Sequence, residues 1–175
     1  MKKNLVYKTA LCAMMCALTV AIGFLENLIP EMPFLPPGAK PGFSNIIIMF
    51  ACEALSGAYV AAVVLTKVLF AFVTRGATAA IMSLSGGVIS AFVMFLLLRK
   101  GKNKAGIAGV SVTGALCHNL GQLAAAAFIS ATLKIVYYLP ALLVFAVLTG
   151  VVNGIIAGAV LPPLKRINNT FEQEE

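Results

Sequence analysis

The sequence predicts an all-α integral membrane protein, a single domain over 1–175 made of six transmembrane helices with both ends on the inner side. Three observations carry this. The chain is 61% hydrophobic and only 11% charged, against about 25% charged residues in soluble domains. From 76 to 164 there is no acidic residue, and the only charges are Arg99, Lys100, Lys102, Lys104 and Lys134. The uncharged stretches 76–98, 105–133 and 135–164 each exceed the roughly 18 apolar residues that mark a membrane span.

The first span is expected over 5–28. Lys2 and Lys3 precede an apolar run, as in a signal peptide. The run continues to Leu25, though, and membrane-like sequence follows, so it reads as a retained span. The second and third spans, 43–56 and 58–74, divide an apolar stretch interrupted by Glu53, Ser56-Gly57 and Lys67. The Ser-Gly pair is a turn signal. The remaining spans are expected over 77–98, 105–131 and 138–162.

Charge sorting supports this count. With the N-terminus inside, inner segments hold nine basic residues: Lys2, Lys3, Lys8, Arg99, Lys100, Lys102, Lys104, Lys165 and Arg166. Outer segments hold three, Lys40, Arg75 and Lys134. The positive-inside rule then favours N-in and C-in. The net charge of +7 is explained in this way and implies no nucleic acid. The outer segment 29–42, IPEMPFLPPGAKPG, has five prolines, which prevent a helix. Its apolar Ile29, Met32, Phe34 and Leu35 suit a lid packed on the bundle, and a stiff connector is the equal alternative.

Polar groups at membrane depth are costly and tend to face the bundle interior. His118, Asn119 and Gln122 in the fifth span lie within one turn and are expected to share a sector. They are candidates for ligand contact or for an interhelical clamp. Lys67 faces either an anionic ligand or Glu53. Asn45, opening the second span beside the proline-rich segment, is a further candidate, as is Lys40 within that segment. Glu26 and Arg75 sit at outer span ends, where a solvated role outweighs a gating one. Ala13, Ala17 and Ala21 form a small-residue stripe, as do Gly150, Gly154 and Gly158. Such stripes admit a close helix from the same bundle or from a partner.

Several chemistries are excluded. Cys12 and Cys16 share a helix face without further metal-ligand residues nearby, so no metal and no disulfide framework is expected. No phosphate loop is present. The chain has no Asp, hence no Asp-rich magnesium site and no Ser/His/Asp set. No cofactor is implied.

Six short spans, the Ala-x-x-x-Ala stripe and the proline-rich outer loop resemble the substrate-binding S components of energy-coupling factor transporters. More closely, PGAKPGFSNI (37–46), SLSGG (83–87), GVSVTGALCHNLGQL (109–123) and YYLP (137–140) resemble the Gx transporter family, a group also labelled heptaprenyl diphosphate synthase component I. The transporter resemblance implies a protein of the bacterial cell membrane that binds a small organic nutrient from outside. A transmembrane subunit meeting Ala13, Ala17 and Ala21, together with two ATPase subunits, would energise it. The ligand would lie under 29–42 among Asn45, Lys67, Asn119 and Gln122. The synthase label implies instead a non-catalytic membrane partner, whose polar groups only clamp helices. An autonomous secondary carrier would need an inverted repeat, and none is evident.

Overall fold

The computed structural model describes residues 2–30, 36, 39–100 and 106–173. The expected contacts of Met32, Phe34 and Leu35, and the basic Lys102 and Lys104, lie outside these. The described chain is helical: α1 (Lys2–Asn27), α2 (Asn45–Ala54), α3 (Gly57–Arg75), α4 (Ala77–Lys100), α5 (Gly106–Ser130), a 3-10 turn (Leu133–Tyr138) and α6 (Leu139–Gln173). Five of these elements are long and apolar enough to cross a membrane. Their outward faces are apolar too, with Phe24, Leu69, Phe92, Phe128 and Ile155 all more than half exposed. This is the surface of a multi-pass membrane protein, because no soluble domain leaves such bands in water.

The second expected span, 43–56, holds a helix too short to cross a membrane by itself: α2 has ten residues, about 15 Å of helix against a hydrocarbon core of about 30 Å. Its sequence is apolar for a different reason. All residues from Asn45 to Cys52 are buried, and α2 packs against each of the other five helices. A helix that is apolar all round belongs in a core. Here that core lies inside an arc of five longer helices, in which α1 packs on α3, α3 on α4, α4 on α5 and α5 on α6.

Side-chain contacts set the helix directions. Thr9 meets the Tyr59 hydroxyl and Gly23 lies against Phe70, so α1 and α3 run parallel. The chain therefore returns between them, through the segment after α1 and then α2. At the far end of α2, Arg99 donates to the Leu55 carbonyl at 3.2 Å and lies over the Phe95 ring. Gly76, with φ +84, allows α3 to turn directly into α4. α5 runs antiparallel to α4, and α6 antiparallel to α5, judged by the pairs Gly114–Met94 and Gly150–Val112.

Two small-residue stripes have different fates. On α6, Gly150 and Gly154 press against the α5 backbone at Val112 and Ala108, while Gly158 has open space around it. On α1, Ala13, Ala17 and Ala21 are all exposed. Among the described residues, the α1 stripe is therefore not used for helix packing. The last helix also runs beyond the expected end at 162, through Pro162 and Pro163 to Gln173.

Candidate functional site

A small polar cavity opens where α1 and α3 end and α4 begins. Glu26 comes from α1, Lys40 and Gly42 from the returning segment, Lys67 and Arg75 from α3. Ala79, Met82 and Ser83 of α4 and His118 and Gln122 of α5 complete the wall. The space is tight, with room for about one water molecule.

Each polar side chain is placed by a local reason. Glu26 is buried and bonds the start of α2, accepting from the Ser44 amide at 3.2 Å and the Ser44 hydroxyl at 3.3 Å. A carboxylate is stabilised at that helix end by the unsatisfied amides and the dipole. Lys67 lies in the interior of α3 and donates to Asn45 Oδ1 at 2.6 Å. Its partner is thus Asn45, at the opposite end of α2 from Glu53. The solvated role expected for Glu26 is corrected in the same way, since only 5% of it is exposed.

The returning segment is fastened at Lys40. The Gln122 side-chain amide pairs with both backbone groups of Lys40, accepting from its N–H and donating to its carbonyl, each at 3.4 Å. Gln122 Nε2 also meets His118 Nε2. The Lys40 ammonium reaches back to the Ile29 carbonyl at 2.9 Å, joining the two ends of the segment. Gly42, with φ +85, lies where a Cβ would fall 2.7 Å from Asn45 Nδ2 and 3.0 Å from the His118 ring. Only glycine combines that backbone with that closeness. Asn153 of α6 donates to the Gly42 carbonyl at 3.5 Å.

The α4–α5 seam sets how deeply His118 sits. Ser85 Oγ donates to the Gly121 carbonyl at 2.8 Å. A Cβ on Gly86 would fall 2.5 Å from the His118 carbonyl, and one on Gly121 2.8 Å from Gly86 Cα. The two helices therefore touch backbone to backbone.

Of the residues expected to form a site, Lys40, Lys67, His118 and Gln122 line one cavity, and Asn45 reaches it through Lys67. Asn119 does not share their sector. It lies one residue from His118, about 100° around the helix, and its Nδ2 donates to the Leu142 carbonyl of α6 at 3.1 Å. Ser83 is a cavity residue that polarity counting passed over, because one serine in an apolar helix is unremarkable. Its hydroxyl is buried without a hydrogen-bond partner among the described residues. The described residues contain no group of three His, Cys, Asp or Glu side chains placed to hold a metal.

Residues 15–160 match the family of heptaprenyl diphosphate synthase component I. The chain belongs to that family. The match runs from α1 into α6 and includes every cavity residue named above. No curated protein and no solved structure matches the chain. The likeness to energy-coupling factor S components expected from the residues thus has no comparison behind it, whereas the component I resemblance does.

Proposed function

We propose that this chain is the non-catalytic membrane component of a heptaprenyl diphosphate synthase, seated in the bacterial cell membrane with both ends in the cytoplasm. The family match over 15–160 carries this reading. Two features support it. The chain lacks Asp altogether, so it has no Asp-rich motif of the kind that holds magnesium on a diphosphate, and a partner subunit would supply one. The apolar helices offer a bilayer-embedded surface next to a polar cavity, the pairing a polyprenyl product with a charged head requires.

A second reading is favoured by where the cavity lies. It opens at the ends of α1 and α3, opposite the basic residues Arg99 and Lys100 at the end of α4. Under the positive-inside rule that end faces out. An outward site suits a substrate-binding component of an importer, with the exposed Ala13, Ala17 and Ala21 face meeting a transmembrane subunit.

One experiment separates the two. The tagged chain is expressed in its native membrane, solubilised in mild detergent and purified, and the eluate is assayed for chain elongation of an allylic diphosphate by isopentenyl diphosphate. Co-purifying synthase activity that disappears when the chain is deleted supports the component I reading. An eluate free of synthase but holding a transmembrane subunit and ATPases moves the assignment to the importer.

A further inference from the structure

The 3-10 turn between α5 and α6 sorts its six residues into three edges, because side chains three apart eclipse in a 3-10 helix. Ala131, at φ 47, ends α5, and the Thr132 hydroxyl accepts from the Lys134 amide at 3.3 Å where the turn begins. Ile135 and Tyr138 form the inner edge. Ile135 is buried in an apolar cluster with Met82, Leu123 and Leu142, and Tyr138 packs on the same cluster. Leu133 and Val136 form a second edge, apolar and exposed. Lys134 and Tyr137 form the third, exposed and polar at its tips. Leu133 is 83% exposed and Tyr137 87%.

The two outer edges have opposite demands. Leu133 and Val136 are costly to leave in water, and the Lys134 ammonium is costly to place in hydrocarbon. The headgroup layer of a bilayer satisfies both. Lysine and tyrosine are the side chains that lay an apolar body along the acyl region and hold a polar tip at the headgroups. The turn also stands where a bilayer boundary belongs, between α5 and α6, both long and apolar enough to cross. Phe128, exposed in the last turn of α5, carries the lipid-facing apolar band up to it.

We infer that this turn is a docking site for the headgroup of an anionic phospholipid. The Lys134 ammonium and the Tyr137 hydroxyl, on one edge, donate to the phosphodiester oxygens. Leu133 and Val136 lie along the acyl chains beside them. The charge of Lys134 favours an anionic lipid over a zwitterionic one. The contact also reaches the cavity. Ile135 shares its apolar cluster with Ala39, the neighbour of Lys40 in the cavity wall. A lipid held on the outer edges of the turn therefore braces the segment that closes over the cavity.

The chain has no Trp, so Tyr137→Trp introduces a single indole that keeps a ring and a donor at that position. The full chain is reconstituted in vesicles of brominated phosphatidylcholine, with bromines near the carbonyl end or near the methyl end of the acyl chains. Phe92→Trp, at an exposed position in the interior of α4, is the deep reference. Helicity of each variant is checked by circular dichroism. The indole at 137 is expected to be quenched most by bromines near the carbonyl end, and the indole at 92 by bromines near the methyl end. In mixed vesicles, brominated phosphatidylglycerol is expected to be preferred at 137 over brominated phosphatidylcholine by about fivefold, the effect of one basic residue near a membrane surface. Lys134→Gln, added to Tyr137→Trp, should bring that ratio to about one, because glutamine keeps the polarity without the charge. Water-like emission at 137 that no brominated lipid quenches overturns the inference. So does strongest quenching from the methyl end, or a phosphatidylglycerol preference that is absent or survives Lys134→Gln. Emission that is water-like in pure lipid but shifts to the blue in native membranes overturns it in favour of a protein partner.

Discussion

At the scale of single residues, the site depends on glycines that let backbones touch. Gly121 and Gly86 face each other across the α4–α5 seam, and a Cβ on Gly121 would meet Gly86 Cα at 2.8 Å and Ser85 O at 3.0 Å. Backbone cannot rotate away as a side chain can, so Gly121→Ala is expected to cost about 1–3 kcal/mol through overpacking. It should appear as a lowered thermal midpoint in detergent. Gly158→Ala, where a Cβ meets open space, should be neutral or slightly stabilising, because alanine is favoured by up to about 1 kcal/mol in a helix. Equal midpoints for the two variants would mean that the seam is not closed as described. Asn119 makes a second contrast. It ties α5 to the Leu142 carbonyl, and interhelical bonds of this kind contribute about 0.6–1.7 kcal/mol in membranes. Asn119→Ala should therefore lower the thermal midpoint in detergent by an amount equivalent to that range. An unchanged midpoint would mean that the bond to Leu142 does not tie α5 to α6. Polarity at depth was enough to draw attention to His118, Asn119, Gln122 and Lys67, but it cannot sort residues by direction. Adjacent helix positions diverge by about 100°, and only the packing of α6 decides which of them faces the cavity.

At the scale of elements, the long apolar runs made α1, α3, α4, α5 and α6 legible, because membrane crossing imposes both length and composition. The short α2 is harder to place, for a related reason. Burial in protein and burial in lipid select the same residues, so NIIIMFAC looks alike in either setting. Length separates the two: the Ser56-Gly57 turn signal bounds the element, and the ten residues of α2 are too few for a full crossing. Glu26 was undervalued because a carboxylate near a span end is ordinarily solvated; its use as a cap for α2 needed the third dimension. The small-residue stripes show the same limit. Spacing alone does not tell an internal seam from an outward face, and here α6 has the first and α1 the second. Ala17→Leu should accordingly leave the isolated chain within about 0.5 kcal/mol of the parent, as for exposed positions generally. It should also reduce recovery of any membrane partner that docks on α1. A large loss of stability in the isolated chain would mean that this face is packed within the molecule after all.

At the scale of the whole molecule, helix direction and charge combine into a prediction about orientation. α1, α3 and α5 run one way and α2, α4 and α6 the other, as the pairings Gly23–Phe70, Gly87–Val64 and Gly150–Val112 require. The start of α1 and the far part of α6 therefore lie at the same end, although only five helices are long enough to cross. α2, held by Glu26 at its start and by Arg99 just past its end, carries the chain back across the bundle. Those shared ends hold Lys8 and Arg99, whereas the cavity end holds Lys40, Arg75 and Lys134. Sorted by segment over the full sequence, the basic residues number nine against three, and the positive-inside rule then predicts that the first end faces the cytoplasm. Reporter fusions after Met1 and after Glu175 should both be active on the cytoplasmic side. Lys134 is exposed on the 3-10 turn at the opposite end. Lys134→Cys in a cysteine-free background should thus react with a membrane-impermeant maleimide added to intact cells. Fusions reporting opposite sides would require an odd number of crossings, with α2 and the returning segment remaining on one side of the bilayer. Cytoplasmic fusions with an unreactive Lys134→Cys would leave the crossing number even and show that the 3-10 turn is covered by a partner.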